Sequence, residues 1–387
     1  MHLRKLVAQI HLWLGLASGV IVFILGITGC IYAFIDEIRP LVYADKYFVW
    51  PAQKPGLLLS QTLHAAQEVY GPDKPVSAIE IYNSKDRSLR FRAYRESPDP
   101  GIWYWEQKAY YESVFINPYS GELIAAENSE FEFFRIILYL HWSLLLSNDI
   151  GQPIVGIATL VFVISLFTGL ILWNPKNKSA ARQRYWFRWK STTKWRRKNY
   201  DIHNISGFYT TAFMLIIGLT GLVWAFSWFD NGVQWLANAG KSYPKQSAVF
   251  SDTSCLKTEH PIDLIFSSVR KNHPGAEAYH IYFPLSSQGV FNVLVQNRQV
   301  YNHVIEQYDQ YTGEMLKAHY FTEKSPGEKL RGVNYEVHTG SILGLFGKIL
   351  AFIASLVAAS LPVTGFLIWR GRRKKLREKS IQLFVVR

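Results

Sequence analysis

The chain has 387 residues, of which 49% are hydrophobic, and a net charge of +13 at pH 7. Its two cysteines are too few for a disulfide-stapled scaffold. The basic excess would suit nucleic acid, but it lies beside long apolar segments and is interleaved with tryptophans. This arrangement favours an anionic membrane surface and predicts no nucleic-acid partner.

Four segments contain no Asp, Glu, Lys or Arg over at least 21 residues. At 1.5 Å per residue, each is long enough to cross a hydrocarbon layer of about 30 Å as a helix. The sequence therefore predicts an α-helical membrane protein that crosses the lipid bilayer four times. The apolar segments are 12–35, 153–173, 205–229 and 349–369.

Basic residues are concentrated in three short flanks, 1–9, 174–204 and 370–387. These flanks hold 20 of the 42 Lys and Arg residues but only two of the 29 Asp and Glu residues, so they carry +18 and the rest carries −5. Short loops rich in Lys and Arg stay in the cytoplasm. Both termini and the middle loop are therefore predicted to be cytoplasmic, and the two long stretches between spans to be exported.

The first and third spans repeat one pattern at an offset of 192 residues. IHLWLGLASGVIVFILGITGCIYAF at 10–34 matches IHNISGFYTTAFMLIIGLTGLVWAF at 202–226. Hydrophobic composition alone would not repeat one histidine and three glycines in register, so we infer an internal duplication. The span–domain–span unit is then used twice in parallel. The shared pairs are His11/His203, Gly15/Gly207, Gly26/Gly218 and Gly29/Gly221.

The two exported stretches show the same order of predicted elements. Each begins with a helical pattern, continues with two alternating strands and ends with a hairpin around a glycine turn. We expect each to be a helix packed on a small antiparallel sheet. The predicted helices are 58–69 and 261–270, the strands 78–82, 89–94, 278–283 and 290–296, and the hairpins 110–124 and 304–316.

Spans two and four each follow an apolar segment that carries a histidine, His141 or His338. Gly-Gln-Pro at 151–153 predicts a helix break before span two, and Gly344 and Gly347 predict a similar break before span four. The predicted parts are 1–35 (N-terminus and span one), 36–152 (first α+β domain with the His141 segment), 153–173 (span two), 174–204 (basic loop), 205–229 (span three), 230–348 (second α+β domain with the His338 segment), 349–369 (span four) and 370–387 (basic tail).

Four histidines occupy equivalent places in the two halves. Parallel repeats pack around an axis along the membrane normal, so His11 should face His203 and His141 should face His338. Paired neutral imidazoles suit axial ligation of haem iron, whereas zinc would need four tetrahedral ligands. A single histidine of this kind is more often a hydrogen-bonded end group. Four at duplicated positions indicate ligands, since ionisable groups inside a membrane are functional by default.

The repeated glycines allow two interpretations. At about 100° per residue, Gly15, Gly26 and Gly29 lie on the helical stripe of His11, as Gly207, Gly218 and Gly221 do for His203. They could clear space for a flat ring, or they could simply let the helices pack closely. Both interpretations stay open at this point.

An aromatic cluster at Trp103-Tyr104-Trp105 lies in the first exported stretch. Such a cluster ordinarily packs within the protein or lies at the membrane–water interface. A substrate surface formed by Trp103 and Trp105 is the alternative, since their rings can stack on a ligand.

With these residues in hand, the sequence resembles the PepSY-associated transmembrane-helix family. Within it, the chain is similar to bacterial inner-membrane ferric-siderophore reductases of the ferrioxamine reductase type. The resemblance covers nearly the whole chain, and its specific part is the histidine motifs. They are IHLWLGL at 10–16, LHWSLLL at 140–146, DIHNISGFY at 201–209 and VHTGSILGL at 337–345.

The resemblance implies two PepSY-like periplasmic α+β domains and two b-type haems. The haem ligands would be His11 with His203 on the cytoplasmic side and His141 with His338 on the periplasmic side. Asn204 and Trp142 follow His203 and His141 where many relatives carry a basic residue, which puts the propionate contacts of this chain in question.

The implied activity is transfer of electrons across the bacterial inner membrane to a periplasmic ferric siderophore, which releases iron as Fe(II). No flavin or nucleotide site is expected, because the cytoplasmic pieces are short and no G-x-G-x-x-G motif follows a strand. A quinol or a cytoplasmic flavoprotein must then donate electrons. A haem-free PepSY sensor or protease regulator, and a haem or iron permease, are the alternatives.

Overall fold

The computed structural model describes residues 2–175, 177–243, 247–255, 258–297 and 301–385. The helices are α1 His2–Tyr32, α2 Ile35–Val42, α3 Ala44–Tyr47, α4 Leu59–Tyr70, α5 Phe133–Ser143, α6 Asn148–Trp173, α7 Lys178–Arg184, α8 Trp195–Asp201, α9 Gly207–Ala225, α10 Ser227–Ala237, α11 Pro261–Asn272, α12 Pro326–Gly332, α13 Asn334–Thr339 and α14 Gly344–Val385. The strands are β1 Ala78–Tyr82, β2 Leu89–Glu96, β3 Lys108–Ile116, β4 Leu123–Asn128, β5 Ala278–Tyr282, β6 Val290–Gln296, β7 Val304–Asp309 and β8 Met315–Tyr320. Short 3-10 turns lie at Tyr104–Glu106, Ser129–Phe131, Phe321–Glu323 and Ser341–Leu343, and a π-helical turn at Ile202–Ser206.

The chain divides into two structural units, each built from non-contiguous segments. A helical unit contains Met1–Phe34, Ile137–Asn231 and Asn334–Arg387, and a sheet unit contains Ile35–Ile136 and Gly232–Val333. The chain thus leaves the helical unit and returns to it twice, as the alternation of apolar and polar stretches predicts.

Within the described residues, four helical stretches are long and apolar enough to cross a membrane. They cover Leu3–Tyr32, Asn148–Trp173, Trp195–Ala225 and Ser341–Lys374, which confirms the four predicted apolar spans. Each helical stretch also includes flanking residues that lie outside the uncharged segment predicted from the sequence. The third includes the π-helical turn, and α14 continues as helix beyond the predicted end of span four.

Sharp reversals separate α5 from α6 and α13 from α14. Leu144 and Leu145 adopt left-handed φ angles of 56° and 63°, and Gly340 has a φ of 78°. The predicted break at 151–153 is wrong, because α6 begins at Asn148 and includes that segment. The chain has already turned through left-handed backbone, which L-residues rarely adopt within a helix.

Two glycines assigned to these breaks instead permit close packing inside helices. A Cβ atom on Gly151 would overlap the carbonyl oxygen of Ser143, the last residue of α5. A Cβ atom on Gly347 would overlap the carbonyl oxygen of Gly340 in the same way. Gly347 therefore does not break α14, whereas Gly344, with a φ of 61°, lies at its start.

The sheet unit contains one antiparallel sheet of eight strands in the order β4-β3-β2-β1-β5-β6-β7-β8. β1 and β5 pair at its centre, with Glu80 opposite His280. The predicted helix-and-strand order of both halves is confirmed, but the two expected domains share this single sheet. Pairing between strands 200 residues apart leaves no local pattern in the sequence from which to predict it.

One face of the sheet carries the core of this unit. Helices α4 and α11 contribute Ala66 and Ile265, which are fully buried against Ile79, Phe91 and Ile281. Alternate residues of the strands point to this face, as expected for strands with one buried side. Burial of this apolar cluster is the main favourable contribution to folding of the sheet unit.

The opposite residues of the central strands form an ionic network. The carboxylate of Glu80 lies 3.7 Å from Arg90, and its Oε1 accepts a hydrogen bond from the Tyr82 hydroxyl at 2.8 Å. Burial alone would raise the pKa of Glu80, but the positive charges of Arg90 and Arg92 outweigh it and lower this pKa to about 2. Glu80 is therefore ionised where the two halves of the sheet join.

Candidate functional site

His11 and His203 face each other in the helical unit. His11 lies in α1 and His203 in the π-helical turn that precedes α9. Their ring centroids are 6.3 Å apart, and the ring planes meet at 81°. Single π-helical turns within helices are frequent at functional sites. The structure thus brings together one of the two pairs predicted from the sequence.

His141 and His338 form a second facing pair in the same unit. Both lie near the ends of short helices, α5 and α13, just before the reversals. Their ring centroids are 6.2 Å apart, with an angle of 77° between the planes. Asn334 fixes α13 against α9 by donating a hydrogen bond to the Thr220 carbonyl oxygen at 3.1 Å.

Each of the four imidazoles is held through Nδ1 by a threonine hydroxyl from another helix. The Nδ1–Oγ1 distances are 2.9 Å for His11–Thr168, 2.8 Å for His141–Thr28, 2.9 Å for His203–Thr364 and 2.9 Å for His338–Thr220. Among the described residues, no hydrogen bond is found at Nε2 of these histidines. The second nitrogen of each ring therefore keeps its capacity to bind a metal ion.

No role for these threonines was predicted from the sequence. A signal is present, because the dipeptide Thr-Gly occurs once in every span, at 28–29, 168–169, 220–221 and 364–365. The bonded threonine and histidine are between 113 and 161 residues apart, so only the fold shows what the dipeptides contact.

The geometry of both pairs fits a metal ion with an imidazole on each side. Two metal–nitrogen bonds of about 2.0 Å, extended by half a ring on each side, place the centroids roughly 6 Å apart. The measured separations are 6.3 and 6.2 Å. No group of three or more His, Cys, Asp or Glu side chains that could hold a metal ion occurs in the described part of the chain. A planar macrocycle such as haem supplies four nitrogens of its own, so its iron would need only two imidazoles from the protein.

A cavity accompanies each pair. The His11–His203 cavity has a volume of about 470 Å³ and the His141–His338 cavity one of about 440 Å³, within the range of small-molecule and cofactor pockets. Both linings are dominated by apolar side chains. Val22 and Phe162 line both cavities, so these two side chains lie between them.

The two cavities differ in charge. Arg4, Arg184 and Arg372 line the His11–His203 cavity. The described lining of the His141–His338 cavity contains no lysine or arginine, and Gln152 and Tyr335 are among its polar side chains. The arginines provide positive charge that could meet an anionic ligand at the first cavity, although no basic residue follows His203 in sequence.

The positions after His203 and His141 are filled by uncharged side chains. Asn204 lines the His11–His203 cavity and donates a hydrogen bond to the Tyr200 carbonyl oxygen at 2.8 Å. Trp142 lines the other cavity, with its ring 6.3 Å from that of Trp224. Neither side chain can supply a positive charge to a carboxylate.

The six glycines predicted to clear space all line a cavity, but their contacts differ. Gly15 borders open space, and Gly207 lies near the Leu361 side chain. Gly26 and Gly218 permit tight helix crossings, where an added Cβ would lie 2.7 Å from the Ser355 carbonyl oxygen or 2.9 Å from Val163. Clearance of space therefore describes Gly15, whereas close helix packing describes Gly26 and Gly218.

The last two members of the stripe contact the histidines. A Cβ on Gly29 would lie 3.5 Å from Cε1 of His141, and one on Gly221 would lie 3.6 Å from Cε1 of His338. A Cβ on Gly169 would lie 3.3 Å from Cε1 of His11, and one on Gly365 would lie 3.3 Å from Cε1 of His203. A Cβ would therefore make an ordinary contact with the imidazole at Gly29 and Gly221, and would be too close to it by a few tenths of an ångström at Gly169 and Gly365.

The two tryptophans considered for substrate binding lie in the sheet unit and line neither cavity. Trp103 and Trp105 stack on each other, with centroids 5.1 Å apart and an angle of 4°. Tyr104 between them is buried, and its hydroxyl donates a hydrogen bond to the Glu130 carbonyl oxygen at 2.6 Å. Each indole therefore has one face covered by the other, which leaves less ring surface for a ligand.

Comparison with protein families matches residues 8–372 to the family described as the PepSY-associated TM region. Comparison with curated proteins gives no match. The matched region contains the four uncharged segments 12–35, 153–173, 205–229 and 349–369, both histidine pairs and the entire sheet unit.

Proposed function

The chain belongs to the PepSY-associated TM region family, and on this premise we propose that it is a dihaem membrane oxidoreductase. It passes electrons across the bacterial inner membrane to a ferric siderophore in the periplasm. The observation that carries the proposal is the pair of facing imidazoles, at 6.3 and 6.2 Å, beside each of two cavities. Two such pairs in one helical unit suit two cofactors in series.

His11 and His203 would hold one haem, and His141 and His338 the other. Haem supplies one-electron chemistry through its iron, at a potential that the axial ligands and their surroundings set. The apolar linings exclude water, and Val22 and Phe162 separate the two cofactor positions with packed side chains. The arginines of the His11–His203 cavity suit haem propionates there.

The proposed reaction has a simple electron balance. Oxidation of one quinol to a quinone releases two electrons and two protons. Each electron reduces one ferric siderophore to its ferrous form, so one quinol serves two chelates. Fe(II) binds the hard oxygen ligands of a siderophore more weakly than Fe(III), and the metal ion is released. A cytoplasmic flavoprotein could replace the quinol as the electron donor.

The topology is part of the same proposal. The basic flanks support a cytoplasmic position for both termini and for the loop containing α7, and a periplasmic position for the sheet unit. The chain is proposed to be a parallel duplication, supported by the matching residues of spans one and three. Equivalent histidines then belong to equivalent segments, α1 with the π-helical turn before α9, and α5 with α13.

The test is electron transfer from purified, pre-reduced protein to ferric chelates. We expect the reduced Soret and α bands to disappear faster with a ferric hydroxamate siderophore than with ferric EDTA. Equal rates with all chelates, no faster than a free bis-imidazole haem control, would contradict siderophore reduction. Protein without a Soret band would instead favour a PepSY sensor, and loosely held, substoichiometric haem would favour a permease.

A further inference from the structure

Every span contributes one Thr-Gly dipeptide, and each dipeptide contacts one histidine of the two facing pairs. Spans two and four hold His11 and His203, whereas spans one and three hold His141 and His338. In each contact the threonine binds Nδ1 and the adjacent glycine lies against Cε1. The same two-residue device therefore supports all four imidazoles.

The direction of each hydrogen bond follows from the second bond of the threonine. Each hydroxyl also lies close to carbonyl oxygens of its own helix, which can only accept a proton. The Oγ1–O distances are 2.7 Å for Thr28–Ile24, 2.9 Å for Thr168–Ser165, 2.7 Å for Thr220–Ile216 and 2.9 Å for Thr364–Ser360. At His11 the direction is fixed independently, because Nδ1 also lies 3.1 Å from the Ser165 carbonyl oxygen, which cannot donate. We assign the same direction to the other three pairs, with each hydroxyl proton donated to the carbonyl oxygen of its own helix. Nδ1 then carries the proton and Nε2 keeps its lone pair.

The glycine of each dipeptide lies beside the same edge of the ring as the threonine. Cε1 is bonded directly to Nδ1, and it lies 3.3–3.6 Å from the position that a Cβ on the glycine would occupy. Both members of the dipeptide therefore meet one edge of the imidazole, the threonine through its hydroxyl and the glycine through its lack of a side chain. The facing rings held in this way meet at 81° and 77°.

A threonine that bonds to its own helix is common in membrane helices and alone indicates nothing. Thr159 shows the ordinary case, because it lines the His141–His338 cavity and donates only to the Val155 carbonyl oxygen, at 2.8 Å. The four threonines of the Thr-Gly dipeptides differ because each also meets Nδ1 at 2.8–2.9 Å.

We propose that Thr28, Thr168, Thr220 and Thr364 are positioning residues that fix the ligand imidazoles as Nδ1–H tautomers with nearly perpendicular ring planes. The inference rests on the proposed haem ligation. Groups that bond the outer nitrogen of a ligand histidine orient the ring and increase its basicity. Perpendicular axial imidazoles leave two iron d orbitals almost equal in energy, which gives a highly anisotropic low-spin EPR signal in the ferric state.

The test compares threonine variants at the His141–His338 site by EPR and by haem affinity. The double variant Thr28→Val/Thr220→Val keeps the side-chain shape and removes both hydroxyls. We expect its affinity at this site to fall about 10- to 100-fold and the remaining signal to move toward the ordinary rhombic form. Thr28→Ser/Thr220→Ser should restore both properties. The matched control Thr210→Val should change neither, because Thr210 donates to the Ser206 carbonyl oxygen of its own helix at 2.8 Å and is not among the described residues that line the two cavities.

The His11–His203 site serves as an internal control for folding, because its threonines are unchanged and its signal should persist in every variant. Two tightly bound haems with an unaltered signal in the double valine variant would overturn this inference alone. A wild-type protein that binds no haem would overturn the proposed function, and the inference with it. If the double valine variant lost both EPR signals while the serine variant kept them, the threonines would be needed for folding rather than for positioning the imidazoles. This result would contradict the inference.

Discussion

Single atoms decide how closely the helices and the imidazoles approach one another. A glycine at a crossing and a glycine beside a cavity look alike in sequence, and both occur on the stripe of His11. Gly26 has the backbone of α14 within 2.8 Å of its missing Cβ, whereas Gly15 has no heavy atom within 4 Å. Packing density close to that of a crystal makes the first position intolerant of one extra methyl group.

Gly26→Ala should therefore destabilise the helical unit by about 1–3 kcal/mol, because overpacking forces α1 away from α14. Gly15→Ala is the matched control, on the same helix and the same stripe, and should leave the unfolding temperature nearly unchanged. Thermal unfolding of both variants in one detergent measures the difference. Equal unfolding temperatures for the two variants would show that the crossing is looser than described.

Much of the candidate site can be predicted from the sequence, because the repeated motif carries it. The facing of His11 with His203 follows from equivalence in a parallel repeat. The role of Thr364 does not, since a threonine in an apolar span has several ordinary functions. The reversal near Leu144 is also unpredictable, because leucine rarely adopts positive φ and Pro153 offers a more conventional break.

Secondary-structure elements show the same division between local and non-local information. The bounds of β1 and β6 agree with the alternating patterns in the sequence, because those patterns are local. Pairing of β1 with β5 joins the halves into one sheet, and it places Glu80 opposite His280. Buried charge at a strand pair needs compensation, which Arg90 and Arg92 provide.

The ionised Glu80 makes the sheet unit sensitive to acid. Its folded pKa of about 2 lies below the ordinary value of 4.5, so its contribution is fully present above pH 5 and is lost as pH falls toward 2. The shift corresponds to about 3 kcal/mol in order of magnitude. Between pH 6 and pH 3, the unfolding temperature of the wild-type protein should fall further than that of Glu80→Gln.

Glu68→Gln is the control for this prediction, because the Glu68 side chain is 71% exposed. It should retain the pH dependence of the wild type. An identical pH dependence in wild type and Glu80→Gln would show that the ionic network of the sheet contributes nothing to acid sensitivity.

Across the entire chain, the helical and sheet units have separate tasks. The helical unit holds both histidine pairs and both cavities, while the sheet unit holds the polar surface proposed to meet the periplasm. The orientation of the chain in the membrane is inferred from the charge of the flanks alone, because short loops rich in Lys and Arg stay in the cytoplasm.

The two native cysteines allow that orientation to be tested. Cys30 is buried, whereas Cys255 is exposed in the sheet unit. A membrane-impermeant maleimide added to bacteria with a permeabilised outer membrane should label wild-type protein and fail to label Cys255→Ser. Lys178→Cys in the Cys255→Ser background should react only after the inner membrane is broken. The reverse pattern would contradict the proposed topology.

The proposed function requires that each histidine pair binds its own haem, independently of the other pair. We therefore single out haem content per chain, together with the reduced-minus-oxidised spectrum, of wild type, His203→Ala and His338→Ala. Wild type should carry two b-type haems, and each variant should retain one, with loss confined to the pair that was changed. Protein purified without haem despite an adequate supply, or an undiminished content of two in both variants, would contradict the account.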